Sequence, residues 1–208
     1  MYDYLYLASQ SPRRQELLQQ IGVEFKLLTA DASEDVETLE DLIPGESSLT
    51  YVRRVTLAKL SASIKRLEIR KLPWAPILCA DTTVTIQIGG TEEILGKPSS
   101  DEDAVRILQL LSGKMHQVHT AIALQTSLDS SPEVTISSSN VNFKSLSLDE
   151  IHAYIATGEH LGKAGAYGIQ GLAACFIKHI EGSFSGIMGL PVFETAQIVQ
   201  QAVKYKLN

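Results

Sequence analysis

Apolar and polar positions change their spacing repeatedly along the chain, from runs of strand length to stripes of helical period. The runs of strand length lie at residues 4–8, 23–28, 77–80, 83–88, 116–125, 134–143 and 172–180. Helical stripes lie between them, near residues 12–21, 48–68, 101–111, 148–157 and 191–204. Because strands and helices interleave, we expect an α/β fold with a mixed twisted sheet and flanking helices.

Capping residues indicate where several of these helices begin. Ser11 precedes a proline, and a proline is typical of the first helical position. Ser99 with Glu102, and Ser147 with Glu150, have the spacing of a capping box. The acidic segment at residues 29–46 lacks such periodicity and is predicted to be a loop.

The composition is that of an ordinary globular chain, with 44% hydrophobic and 20% charged residues among 208. No repeat and no long linker divides it, so we expect a single domain over residues 1–208. The formal net charge of −6 argues against a stable nucleic-acid partner, since such proteins usually carry a basic face.

The distribution of cysteines and apolar runs indicates the compartment. Cys79 and Cys175 lie in apolar runs without a CxxC spacing, which predicts two buried thiols in a reducing environment. The N-terminus lacks the pattern of a signal peptide, and no apolar run approaches the ~20 residues that span a bilayer. We therefore expect a cytoplasmic protein with no membrane partner.

The first candidate site lies at residues 9–14, where a strand is predicted to turn into a helix. The free amides and the dipole at a helix N-terminus favour phosphate. Ser9, Ser11, Arg13 and Arg14 add two hydroxyls and two guanidinium groups, and the arginine fork matches phosphate oxygens. A simple N-cap followed by two surface arginines is the alternative, and spacing alone does not decide between them.

The second candidate is Asp81, which with Thr82 follows the apolar run that ends at Ala80. Sheets of α/β proteins place ligands at the carboxyl ends of strands. A carboxylate there can hold a divalent cation or accept a proton from water. A turn aspartate between two strands is the alternative.

The third candidate is the segment at residues 162–171, where glycine recurs at every third position. Such spacing does not suit the interior of a helix or strand and lets backbone approach a ligand closely. Lys163 adds a charge, while Tyr167 and Gln170 offer groups that can face a base. A structural loop over the core is the alternative.

Single basic residues give weaker signals. Lys97 follows a predicted strand and can reach a phosphate, although the residue taken alone favours a solvated surface lysine. His116 and His119 are three residues apart on a predicted strand, so their side chains point to opposite faces and do not suit a shared zinc ion.

Taken in order, these segments resemble the Maf family of nucleotide pyrophosphatases. The matching motifs include LASQSPRR at 7–14, YVRR at 51–54, ADT at 80–82, GKP at 96–98 and KAGAYGIQG at 163–171. Further matches lie at 59, 112–113, 116–121 and 189–191. The resemblance implies two lobes around a central cleft, as in Maf and ITPase-like folds, and usually a homodimer.

The resemblance also implies roles for individual residues. Asp81 would be the proton acceptor that activates water, and Asp81 with Glu34 would bind a divalent cation, Mg²⁺ or Mn²⁺. The substrate-binding residues would be Ser9, Ser11, Arg13, Arg14, Lys59, Thr82, Lys97, Lys163 and Gln170. Ser33 stands where the family usually has a first acidic residue before the position of Glu34.

Three positions indicate a branch of the family. Arg13, Thr82 and Gln170 resemble the branch that hydrolyses dTTP and UTP, or modified pyrimidine nucleotides, to the monophosphate and pyrophosphate. A glutamine offers a donor and an acceptor to the imide edge of uracil or thymine. The implied role is house-cleaning of nucleotide pools. A regulatory nucleotide-binding protein that inhibits septum formation is the alternative.

Overall fold

The computed structural model describes residues 1–31, 34–35 and 38–204. The strands in these residues are β1 Leu5–Leu7, β2 Phe25–Leu27, β3 Ile77–Ile88, β4 Thr91–Leu95, β5 Met115–Gln125, β6 Glu133–Phe143 and β7 Ile177–Glu181. The α-helices are α1 Pro12–Gln20, α2 Ser48–Ile69, α3 Asp101–Leu111, α4 Leu148–Ile155, α5 Phe184–Met188 and α6 Val192–Val199. Short 3₁₀ turns lie at Thr38–Glu40, Ala164–Ala166 and Leu172–Phe176.

The strands form one mixed sheet with the order β2-β1-β3-β5-β6-β7, and β4 pairs with β3 beside this path. β1 runs parallel to β2 and β3, whereas the other pairs are antiparallel. The predicted fold class, a mixed sheet with flanking helices, is confirmed.

The long strand β3 changes its neighbour on one edge halfway along its length. Its first residues pair with β1 as far as Leu78, and pairing with β4 starts at Val84. Residues 79–83 have no strand partner on that edge among the described residues. This gap opens the sheet edge beside Asp81.

The prediction that Asp81 lies between two separate strands is wrong. β3 continues through Asp81, which is opposite Ala121 of β5 in the register. The unbroken ladder to β5, from Ile77 to Thr85, keeps this stretch extended although it contains a carboxylate.

Buried side chains divide into clusters on either side of this gap. One side is built by β1, α1, α2, α6 and the first half of β3 around Leu18, Leu78 and Leu60. The other side is built by α3, α4, β4 and the second half of β3 around Leu108 and Phe143. The sheet therefore carries two lobes with a cleft between them.

The predicted helix starts hold with one correction. Ser147 and Glu150 form the expected capping box of α4. The predicted capping box of Ser99 with Glu102 is wrong. The N-cap of α3 is Ser100, whose hydroxyl accepts from the Asp103 amide, while the Asp103 carboxylate accepts from the Ser99 amide. The spacing of two candidate serines next to three acidic residues did not distinguish these registers.

The C-terminal third differs most from the prediction. Residues 172–176 form a 3₁₀ turn where a strand was predicted, and the helix after Pro191 ends at Val199, before residue 204.

Cys175 lies in the turn at residues 172–176 and is exposed, so its predicted burial is wrong, whereas Cys79 is buried as expected. Within the described residues, no helix is long and apolar enough to cross a bilayer.

Candidate active site

A cavity of about 570 Å³ lies between the two lobes at the open edge of β3. This volume is typical of sites that bind small molecules and cofactors. Ten of the eleven residues predicted for the site line this cavity, namely Ser9, Ser11, Arg13, Arg14, Lys59, Asp81, Thr82, Lys97, Lys163 and Gln170. The sheet edge thus brings together segments that are up to 161 positions apart in the sequence.

Arg14 projects from the first turn of α1 to the wall of the cavity. Its Nε donates to the Gly189 carbonyl at 2.7 Å, and its other nitrogens lie 3.2 Å from Thr82 Oγ1 and 3.5 Å from Ser9 Oγ. No carboxylate of the described residues lies within ion-pair distance of this guanidinium. Desolvation lowers the pKa of Arg14, although the charge of Asp81 opposes this effect. Such a cation is prepared to receive an anion.

Thr82 connects Arg14 to β5 and α5 at the wall of the cavity. Thr82 Oγ1 lies 2.9 Å from Thr120 Oγ1, which in turn donates to the Gly186 carbonyl at 2.7 Å. Since Thr120 uses its proton on that carbonyl, Thr82 donates to Thr120 and accepts from Arg14. This chain of hydrogen bonds fixes the orientation of the guanidinium.

Asp81 is buried, and its side chain lies on the face of β3 that packs against α2, opposite to the face that carries Thr82. Its Oδ1 accepts from Lys59 Nζ at 2.5 Å, and its side chain is only 9% exposed. Desolvation lowers the pKa of Lys59, but the carboxylates of Asp81 and Glu40 outweigh it and raise the pKa overall. In the described residues no group donates to Asp81 Oδ2, so this oxygen is available to a ligand or a water molecule.

Glu40 is a site residue that the sequence did not single out. Its Oε1 accepts from Lys59 at 2.7 Å and from Lys97 at 3.0 Å, and its Oε2 accepts from Lys97 at 2.7 Å. Glu40 lies at the end of a 3₁₀ turn in the acidic segment that was predicted to be a loop. Nothing in the pattern distinguishes it from the neighbouring acidic residues.

Glu34, the predicted metal ligand, is not among the residues that line the cavity. Its carboxylate accepts hydrogen bonds from the guanidinium of Arg66 at 2.7 to 3.0 Å, and Arg70 Nη2 lies 3.5 Å from Glu34 Oε1. A metal role for Glu34 would require this carboxylate to leave Arg66, and it stays an untested prediction. Ser33, the departure from the family pattern, lies outside the described residues.

The glycine-rich segment forms the second wall of the cavity. Gly165 has φ of 70°, its amide donates to the Gly96 carbonyl at 3.1 Å, and a Cβ there would meet Val84 Cγ2 at 2.8 Å. Only glycine fits this conformation and this contact. The turn therefore packs directly against β3 and brings Lys163 and Gln170 to the cavity.

A carboxylate outside the predicted set closes this segment. Both oxygens of Glu159 accept from the Leu172 amide at 3.0 Å, and a Cβ on Gly171 would meet Glu159 Oε1 at 1.7 Å. Lys163 Nζ donates to the Glu159 carbonyl. Glu159 thus clamps both ends of the stretch that holds Gln170.

His116 and His119 do not line the cavity, and each has a structural partner. His116 Nε2 shares a hydrogen bond of 2.8 Å with the hydroxyl of Tyr167, and His119 Nδ1 lies 2.8 Å from Ser138 Oγ. Among the residues described, no three His, Cys, Asp or Glu side chains are grouped so as to hold a metal ion.

The cavity carries a positive charge although the chain as a whole is acidic. Its lining contains six cationic side chains, those of Arg13, Arg14, Lys59, Arg66, Lys97 and Lys163, and two carboxylates, those of Glu40 and Asp81. A cleft lined by one sign of charge concentrates ligands of the opposite sign. The site is therefore built for an anion beside one available carboxylate oxygen.

The comparison with known families agrees with this geometry. The protein-family model described as "Maf-like protein" matches residues 4–202 of this chain. The chain belongs to the Maf family. The resemblance noted from the sequence motifs is confirmed over nearly the whole chain.

Several Maf relatives are similar over nearly their full length. A protein named dTTP/UTP pyrophosphatase from Cupriavidus pinatubonensis is 54% identical over 202 residues, which cover 97% of this chain and 98% of the relative. Proteins with the same name from Ralstonia nicotianae and Albidiferax ferrireducens are 54% and 51% identical over 201 and 200 residues. These cover 97% and 96% of this chain and 95% and 97% of the relatives. A solved structure of the Staphylococcus aureus Ham1 protein has a TM-score of 0.43 and 15% identity, over 68% of this chain and 72% of that one.

Proposed function

We propose that this Maf protein hydrolyses dTTP and UTP to the nucleoside monophosphate and pyrophosphate, as an enzyme that cleans nucleotide pools. One observation carries the proposal: a cavity of nucleotide size with six cations surrounds the buried Asp81. The names of the similar relatives support the choice of substrate. Hydrolysis consumes one water molecule, breaks the bond between the α-phosphorus and the bridging oxygen, and releases pyrophosphate.

The side chains of the cavity divide the chemical work. Arg13, Arg14 and the N-terminus of α1 bind phosphate oxygens and offset the charge that develops during the reaction. Asp81 accepts a proton from the attacking water through Oδ2, while Lys59 holds Oδ1 and fixes the carboxylate. Phosphoryl transfer depends mostly on positioning and charge neutralisation, so no protein nucleophile is needed.

The donor set around Asp81 fits a magnesium-type cation that is shared with the substrate. Mg²⁺ keeps several waters and binds proteins through one or two carboxylates plus substrate phosphates. Asp81 is the carboxylate of the cavity lining that would hold it, since Glu40 is paired with Lys59 and Lys97. When bound, such a cation neutralises phosphate charge. The proposal includes Mg²⁺ or Mn²⁺ as this cation.

Gln170 supports the preference for pyrimidines. Its side chain is exposed at the cavity, and its Nε2 lies near Gly168, where a Cβ would be 3.4 Å away. An amide can pair with the donor and acceptor edge of uracil or thymine. The homodimer and the cytoplasmic location stay predictions.

A pyrophosphate-release assay tests the proposed function directly. Purified protein is incubated with Mg²⁺ and each of UTP, dTTP, CTP, ATP and GTP, and the released pyrophosphate and monophosphate are quantified. We expect release from UTP and dTTP to exceed release from the purine nucleotides. The Asp81→Asn variant should lose about 10²- to 10⁴-fold in rate, the usual size of general-base catalysis.

Asp129→Asn is the matched control, because Asp129 is an exposed aspartate outside the cavity. It should keep the rate of the unaltered enzyme. Release of orthophosphate without pyrophosphate would contradict attack at the α-phosphorus. No release from any nucleotide would favour the regulatory alternative over the enzyme.

A further inference from the structure

Glu40 occupies a position that an anionic ligand of this cavity also needs. Its carboxylate lies between the ammonium groups of Lys59 and Lys97, and both groups are within 3.0 Å of Oε1. The side chain of Glu40 is 24% exposed, that of Lys59 is 20% exposed, and that of Lys97 is 50% exposed. The protein therefore supplies its own anion to two of the lysines that face the cavity.

The carboxylate stays ionised in this position. Burial alone would raise the pKa of Glu40, but the charges and hydrogen bonds of Lys59 and Lys97 outweigh it and lower the pKa overall. A ligand phosphate that approaches the two lysines therefore meets a negative charge. Since like charges repel at contact distance, the carboxylate and the phosphate cannot both bind between the two lysines without a cost in free energy.

The backbone around Glu40 is anchored, whereas its side chain is not covered by a second layer. The hydroxyl of Tyr51 donates to the Glu40 carbonyl at 2.9 Å, and Arg54 donates to the Asp41 carbonyl at 2.9 Å. Both donors belong to α2, so the turn at Thr38–Glu40 is held by a long helix. Exchange of the carboxylate therefore requires rotation of one side chain and no movement of the segment.

We propose that Glu40 is an internal counter-ion that the phosphates of the substrate replace between Lys59 and Lys97. The substrate has to displace this carboxylate on entry, and the carboxylate returns when pyrophosphate leaves. Glu40 therefore weakens the affinity of the site for polyphosphate and promotes product release. The inference builds on the proposed function, since it names how the same site accepts and releases polyphosphate.

A fixed supporting role is the competing explanation, and the contacts argue against it. Lys59 keeps a second partner in Asp81 at 2.5 Å, so it does not depend on Glu40 for its position. Lys97 has Glu40 as its single ion-pair partner among the described residues, but its half-exposed ammonium is solvated and needs no carboxylate. The two explanations predict opposite effects of removing the charge.

The experiment measures binding of inorganic pyrophosphate by calorimetry, without divalent cation and with a chelator present. The protein is used as the full chain in its unaltered form and as Glu40→Gln and Glu46→Gln. We expect Glu40→Gln to bind pyrophosphate roughly tenfold more tightly, the size expected for loss of a partly buried competing ion pair. Glu46→Gln is the matched control, because Glu46 pairs with Arg54 at 2.8 Å and does not line the cavity.

Equal or weaker pyrophosphate binding by Glu40→Gln would overturn the inference and indicate a supporting role. Equal tightening by Glu46→Gln would also overturn it, because the effect would then be one of net charge. Failure of the proposed function is recognised separately. It would appear as absence of pyrophosphate release from UTP by the unaltered enzyme, whatever the binding data show.

Discussion

Lys59 Nζ lies 2.5 Å from Asp81 Oδ1 and therefore ties the long helix α2 to the middle of β3. This contact is made at the point where β3 has lost β1 and not yet gained β4 as a neighbour. A buried carboxylate is tolerated there because the ammonium group neutralises it. The same contact leaves the second oxygen of Asp81 for chemistry.

We expect Lys59→Met to lower both stability and turnover. It leaves Asp81 and Glu40 without the cation that they share, and an unpaired charge of this kind costs about 1–3 kcal/mol in the free energy of unfolding. Turnover should fall about 10²-fold or more because the carboxylate loses its orientation and the phosphates lose a cation. Urea unfolding and pyrophosphate release measure the two effects.

Lys65→Met is the control for this variant, because Lys65 is an exposed lysine on the same helix. It should leave both measurements near those of the unaltered enzyme. If Lys59→Met retained the original stability and rate, the contact with Asp81 would be dispensable and the assignment of Lys59 would be wrong.

Gln170→Glu should reduce the preference for uracil and thymine. A carboxylate only accepts hydrogen bonds, so it cannot satisfy the carbonyl oxygens of the imide edge, and it favours a base edge made of donors. We expect kcat/KM for UTP and dTTP to fall about 10- to 100-fold relative to GTP. Steady-state kinetics with the nucleotide panel give this ratio.

Gln109→Glu makes the same chemical change on the exposed face of α3, away from the cavity. Its ratio of rates should match that of the unaltered enzyme. An unchanged nucleotide ranking in Gln170→Glu would mean that another residue recognises the base.

Gly171→Ala should damage the glycine-rich segment through Glu159. The new methyl group would lie 1.7 Å from Glu159 Oε1, so the carboxylate has to leave the Leu172 amide. We expect a rise of about 10-fold in KM for UTP, because Gln170 next to it loses its fixed position, a loss comparable to one charge-assisted hydrogen bond. The measurement is steady-state kinetics with UTP.

A double-mutant cycle separates this clash from other effects of the alanine. With Glu159→Ala in the background, Gly171→Ala should raise KM much less than it does alone, since there is no carboxylate to displace. Strictly additive effects of the two substitutions would show that the contact between Glu159 and Gly171 does not carry the defect.

Local signals in the sequence predicted the elements whose ends are set by neighbouring residues. Ser11 with its following proline and Ser147 with Glu150 predict helix starts, and α1 and α4 begin there. The family motifs predicted which residues meet in the cavity, and ten of the eleven do line it. These residues are far apart in the sequence, so composition and periodicity alone did not bring them together.

Features that depend on pairing between distant segments were not predicted. β3 runs unbroken through Asp81 because β5 pairs with it residue by residue, and the carboxylate suggested a break instead. Glu40 reaches the cavity because α2 holds its turn in place, and no local pattern encodes that contact. Arg66, also on α2, pairs with Glu34 across 32 positions in the sequence, and no local pattern encodes this contact either.

The buried pair of His116 and Tyr167 makes stability depend on pH. Burial lowers the pKa of His116 from 6.5 to about 4, so the unfolded chain binds a proton more strongly than the folded one. Its contribution is complete above pH 6.5 and is lost as the pH falls towards 4, with a total of about 3 kcal/mol. Urea unfolding at pH 7.5 and at pH 4.5 measures this loss. Between these two pH values, the free energy of unfolding of His116→Gln, which can still bond to Tyr167, should fall by about 2–3 kcal/mol less than that of the unaltered protein. His152→Gln, on the exposed face of α4, should show the same change in unfolding free energy with pH as the unaltered protein. If His116→Gln also shows that same change, the assignment to His116 is wrong.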